Sequence, residues 1–194
     1  YAREQAFVEA VDELAGHGRK IIRVPWSHGR RTLLIVSSEN DQIPRAVRNE
    51  FGVDMLILRH SDGHVQILGP GLPKTVILDL ARIIRSEERK ARRKNPLTHR
   101  KLLGRGGTIS AVPQWHVQWK GGMILNGGKS APMVEPTRIT LEHIVLAART
   151  ALQDDLFMPD CPEDGSCLGR ECPAYLWGLE RCRLRRWRQL QQQN

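Results

Sequence analysis

DMLILRHSDGHVQILG, residues 54–69, sets two apolar-rich runs around the triplet Ser61, Asp62, Gly63. A short Gly-containing turn between such runs predicts a β-hairpin. Just downstream, residues 74–93 carry Val76, Ile77, Leu78, Leu80, Ala81, Ile83 and Ile84 early and charge later, which predicts the longest helix. Upstream, Phe7, Val8, Val11 and Leu14 recur at helical spacing from Ala2 to Ala15, and Gly16 and Gly18 end that helix. Residues 20–25 and 32–37 read as strands about the turn-like WSHGRR, and residues 42–51 as a short helix opened by Asp41. WHVQWKGGMILNGG, residues 115–128, predicts a second hairpin turning at its first Gly pair. Leu141–Leu152 follows as a helix with Thr140 as its N-cap. The order helix, strand, strand, helix, hairpin, helix, hairpin, helix argues for an α+β or mixed α/β sheet with helices packed on it.

At 194 residues the chain suits one domain with an appendage, divided here into an α/β body, residues 1–155, and a Cys-rich tail, residues 156–194. No apolar run approaches the roughly 18 residues of a membrane span. The amphipathic, acid-bearing start is no signal peptide, so a reducing cytoplasmic location is expected. The sequence begins with Tyr1 and no Met, as a fragment, a processed form or a trimmed chain would. Nothing in it sets an oligomeric state. The net charge of +9 favours polyanions, chiefly nucleic acid or nucleotides, through counterion release at each neutralised phosphate.

Cys161, Cys167, Cys172 and Cys182 read C-x5-C-x4-C-x9-C and are the chain's complete set of cysteines. Four thiolates complete a tetrahedral shell, which suits structural zinc. An iron–sulfur cluster, paired disulfides and reduced thiols are the alternatives. A helix over residues 173–192 is expected to follow, carrying Arg181, Arg183, Arg185, Arg186 and Arg188 beside the cysteines.

A second basic stretch comprises Arg82, Arg85, Arg89, Lys90, Arg92, Arg93, Lys94, Arg100, Lys101 and Arg105. Such density at a helix end and a Gly-rich loop suits phosphate oxygens, for which arginine is a bidentate donor. The plain alternative is a solvated helix end whose cations complement the helix dipole. Trp115 and Trp119 share one face of a strand, either as core or as a stacking platform, with His116 and Gln118 on the other. His60, Asp62 and His64 sit around the first hairpin turn, where two imidazoles and a carboxylate suggest a second, weaker metal site. Asp-Gly is equally the ordinary chemistry of a tight turn. Neither a GxxxxGK[ST] nor an HExxH occurs, so P-loop hydrolysis and zincin chemistry have no support.

AREQAFVEAVDEL, IIRVP, FGVDMLILRHSDGHVQIL, RSEERKARR, WHVQWKGGMILNGGKSAP and TLEHIVLAARTAL occur in this order over residues 2–152. Together they resemble the C-terminal half of DHH-type phosphoesterases, nearest the Myg-type predicted metal-dependent hydrolases. The resemblance implies a substrate-binding part acting on nucleotides or nucleic acid. It places Gly121, Gly122, Asn126, Gly127, Gly128 and Lys129 at substrate phosphate. The family's DHH triplet and metal-binding aspartates are missing here, so manganese or magnesium would need ligands from another domain. No catalytic residue is assigned. The alternative is a noncatalytic, zinc-stapled nucleic-acid-binding module, for which the basic residues and the cysteines suffice.

Overall fold

The computed structural model describes residues 1–16, 18–97, 100–128, 131, 133–153, 177–179 and 182, with the side chains of Arg100 and Lys101 excepted. Helix α1 (Ala2–Ala15) leads into β1 (Arg19–Trp26) and β2 (Gly29–Ser37), then α2 (Ile43–Ala46), which runs on as a π-helical turn over Val47–Phe51. The predicted hairpin is β3 (Met55–Arg59) and β4 (Val65–Leu68), and α3 (Lys74–Ala91) is the longest helix described. Next come α4 (Arg100–Leu103), β5 (Gly107–Ile109), β6 (Val112–Gln118), β7 (Met123–Asn126) and α5 (Leu141–Leu152).

These strands form one seven-stranded mixed sheet in the order β1-β2-β3-β4-β7-β6-β5, so the fold is α+β. β2 and β3 run parallel, joined through α2, and the other described neighbours are antiparallel. The sheet is buried on both faces at its centre, which is why β3 reads Met-Leu-Ile-Leu with no polar residue until Arg59. Met55, Ile57, Ile67 and Trp115 pack with α3 and α5 in the larger core, whereas Leu34, Val36, Leu56 and Leu58 pack with α1 and α2 in the smaller. Edge strand β1 turns Lys20 and Arg23 to solvent, a charge placement that discourages pairing with a further strand.

Three regions add to the sequence reading or lie outside the described residues. The basic, Gly-rich stretch between α3 and the second hairpin holds α4 and β5, neither of which was expected. Its pattern was too short and too glycine-rich to show a period. Trp177, Leu179 and Cys182, assigned to a separate tail, pack against the larger core, with Trp177 Nε1 3.3 Å from Glu87 Oε1. Cys182 is buried there. Cys161, Cys167, Cys172, Arg183, Arg185 and Arg186 lie outside the described residues, as does most of the expected final helix. No described helix is long and apolar enough to cross a membrane.

Candidate phosphate-binding edge

A single register row crosses the sheet at the carboxyl end of its parallel pair. Ser37 of β2 pairs with Arg59 of β3, Arg59 with Val65 of β4, and Val65 with Asn126 of β7. The HSDGH and NGG motifs, about sixty positions apart in the chain, are thereby brought side by side. Crevices outside the carboxyl ends of parallel strands are where open α/β sheets hold ligands.

Ser37, Ser38, Glu39, Arg59, His60 and Ser61 line a cleft of about 410 Å³ at this edge. Its floor is tied by short local bonds. The Ser61 amide donates to Glu39 Oε1, holding that carboxyl below its usual range. Ser38 Oγ donates to Glu13 Oε2 at 2.9 Å and accepts from the Asn40 amide. Gln66 Nε2 lies 3.3 Å from His60 Nε2. With that amide nitrogen donating, the His60 proton sits on Nδ1, 3.8 Å from Glu39 Oε2. Arg59 is exposed, and its guanidinium has no side-chain partner among the described residues. The arrangement offers a free cationic fork, serine hydroxyls and a held imidazole, a set suited to a phosphate group.

The expected second metal site takes a different form. His64 is buried, with Nε2 2.9 Å from the Val134 carbonyl oxygen and Nδ1 2.9 Å from Asp62 Oδ2. Both neighbours are acceptors, so the doubly protonated ring satisfies both. Burial opposes that charge most strongly, yet the Val134 carbonyl and the Asp62 carboxylate outweigh it and raise the His64 pKa. Asp62 is held low, first by the His64 amide that donates to it. His60 is turned instead toward Glu39 and Gln66, so the three residues do not converge on one point. Among the described residues no group of three His, Cys, Asp or Glu side chains is placed to hold a metal ion.

The glycines and asparagine expected at phosphate have identifiable folding work. Gly122, at φ +63, leaves no room for a Cβ, which would stand 2.3 Å from the Gly69 carbonyl oxygen. Gly127, at φ +61, faces the His64 ring, which a Cβ would meet at 2.5 Å. Gly121 closes the short 3₁₀ turn Trp119–Gly121. Asn126 is buried, donating to the carbonyls of Gln114 and Glu135 and accepting from the Thr137 amide. Gly128 lies near Gln66, and Lys129 lies outside the described residues.

Much of the basic stretch is likewise internal, because Asp79, Arg82, Arg85 and Glu88 on α3, with Arg92 at its C-cap, recur at helical spacing as a polar stripe. Arg82 pairs with Asp79 at 2.7 Å. Arg85 is fully buried and donates to the carbonyls of Leu103, Arg105, Gly107 and Trp115. It thereby shapes α4 and β5, and burial lowers its pKa to about 10. Glu88, also fully buried, accepts from Trp115 Nε1, Thr137 Oγ1, the Arg138 amide and Arg92 Nε. Arg92 reaches on to Glu135 and the Pro136 carbonyl. Trp115 is therefore core, while Trp119 is half-buried with Lys74 Nζ 3.9 Å from its ring centre. The signal for the stripe was legible as acids and arginines three or four apart, but a charge pattern alone does not say which side faces inward.

The chain matches no family model, no curated protein and no solved structure.

Proposed function

We propose that this chain is the substrate-binding part of a DHH-type phosphoesterase, gripping the phosphate of a nucleotide or nucleic acid at the carboxyl edge of β2 and β3. The observation that carries the reading is the Arg59 guanidinium, without a side-chain partner among the described residues, in the Ser37–Ser61 cleft and in one register row with Asn126. A guanidinium fork is the side chain best matched to phosphate oxygens, and the Ser37 and Ser61 hydroxyls add donors around it. Hydrolysis needs metal held by clustered carboxylates, as the family's DHH domain supplies, so this chain binds without turning over. The four cysteines enter the proposal as one zinc staple of a tail anchored on the larger core, in a reducing cytoplasmic compartment. Elemental analysis giving one zinc per chain is the check on that part.

The decisive test is equilibrium binding of a nucleoside monophosphate and its unphosphorylated nucleoside to wild type and to Arg59→Ala. The monophosphate should bind at least tenfold tighter than the nucleoside, and Arg59→Ala should erase that preference. Equal affinity for the two by wild type, or an undiminished preference in the variant, would reject the site.

A further inference from the structure

A second cleft, of about 400 Å³, opens on the same sheet edge and is lined by Glu88, Arg89, Arg92, Lys94, Ser110, Ala111, Val112, Pro113 and Gln114. Helix α3 leaves the lower end of β4 and runs back along the sheet, so its C-terminus reaches the edge where β6 begins. Gln114, which lines this cleft, accepts from Asn126, the last member of the register row described above. The two clefts are thus set along one line, separated by the steps β3 to β4, β4 to β7 and β7 to β6.

The cleft's charge is unbalanced. Between Glu88 and Glu135 the sequence has no acidic residue, while Arg89, Lys90, Arg92, Arg93, Lys94, Arg100, Lys101, Arg105, Lys120 and Lys129 all fall there. Glu88, the one carboxylate of the lining, is spent on Trp115, Thr137, Arg138 and Arg92. Arg89 is held in place by its bonds to the carbonyls of Asn95 and Ala111, and Lys94 is exposed with no side-chain partner among the described residues.

The backbone at the end of α3 is held at a cost. Arg93 donates its amide to the Lys90 carbonyl and Lys94 donates to that of Arg89, the bonding of a Schellman cap. Its left-handed position, normally a glycine, is Arg93 at φ +54, the one non-glycine at positive φ among the described residues. This geometry brings Lys94 and the Asn95 carbonyl back against Arg89, forming the cleft wall. An observed outlier of this kind is a reason to look for function at the place it shapes.

We infer that this cleft is a second phosphate subsite and that the ligand is a single-stranded oligonucleotide laid along the sheet edge from Arg59 to Lys94. The inference rests on the phosphate reading of the first cleft and extends it to a ligand class. Three strand spacings are about 14 Å, the rise of roughly four stacked nucleotides at about 3.4 Å each. A mononucleotide fills one cleft, whereas an oligonucleotide longer than about five residues fills both.

The test uses 5′-phosphorylated thymidine oligonucleotides of two and eight residues with the full chain, titrated at several salt concentrations. Wild type should bind the octamer at least tenfold tighter than the dimer. Lys94→Glu should remove that gain and leave dimer affinity unchanged, and should reduce the log–log salt slope for the octamer by about 0.7. Arg59→Ala should weaken both. Equal wild-type affinities for dimer and octamer would overturn the second subsite while leaving the first intact. So would a Lys94→Glu effect that is absent, or equal on both lengths. Failure of wild type to bind either oligonucleotide at low salt would reject both clefts together. Arg89→Lys, keeping charge but losing the fork to Asn95 and Ala111, should also reduce the octamer gain, and an unchanged gain would count against the cleft.

Discussion

Arg85 and Arg59 share a side chain, and the fold treats them in opposite ways. Arg85, on α3, is sealed beneath the β5–β6 strands, its Nη1 and Nη2 groups donating to four main-chain carbonyls. Arg59, at the end of β3, is exposed in a cleft that it lines with Ser37, Ser38, His60 and Ser61. The polar region under β6 is thus a scaffold that spends its charges internally, and the β2–β3 edge is a surface that keeps one in reserve. Cation density along the sequence counts both alike. What separates a binding arginine from a structural one is whether the chain has already supplied its acceptors.

The contrast breaks most visibly at Glu88. Glu88→Ala strips four donors of a shared buried acceptor, so urea unfolding should show a loss of about 3 to 5 kcal/mol. A loss below about 1 kcal/mol would mean that the network is not what holds α3 to the 135–138 segment. Gly122→Ala comes next. Its Cβ would stand 2.3 Å from the Gly69 carbonyl oxygen at φ +63, and the expected cost is about 2 to 3 kcal/mol. A smaller cost accompanied by lost phosphate affinity would move Gly122 from scaffold to site.

His64 lies between the two regions, and pH sharpens its part. Its folded pKa is raised above 6.5, so the bonds to Asp62 and Val134 contribute fully below 6.5 and are lost as pH rises through the folded value. Asp62 is lowered from 3.8, so its share is present above 3.8 and lost as pH falls through its folded value. His64→Gln should therefore cost about 1 kcal/mol near pH 5.5 and progressively less in alkaline buffer. A wild-type minus variant difference that grows with pH would show the sign to be wrong. The smallest stability change is expected at the open edge. Arg59→Ala should stay within about 0.5 kcal/mol of wild type, and a larger destabilisation would erase the distinction between the two regions.

The hairpin at residues 54–69 and the helices Ala2–Ala15 and Leu141–Leu152 were legible because their apolar spacing is long and regular. Thr140 caps α5 as expected, accepting from the His143 amide. β5 was missed because three residues beginning at Gly107 carry too little pattern. The parallel pairing of β2 with β3 was not readable either, since local sequence does not encode which strand lies beside which. At the candidate edge, HSDGH and NGG were each noticed, but their adjacency depends on the register Val65 to Asn126. Arg59 went unremarked for a similar reason. One arginine at a strand end has no signature until its neighbours are known.

That β4–β7 register has a kinetic corollary. It is the described strand pairing that joins the β1–β4 half of the sheet to the β5–β7 half, and it closes a loop of about sixty residues, whereas each flanking hairpin closes locally. Loop-closure entropy rises with length and sequence-distant contacts slow folding, so this seam is expected to zip after the hairpins on either side of it. The proposed ligand track runs across the seam, from Arg59 on one half to Lys94 and Gln114 beside the other. Neither half presents the track by itself, and a chain that binds has, by that fact, finished folding.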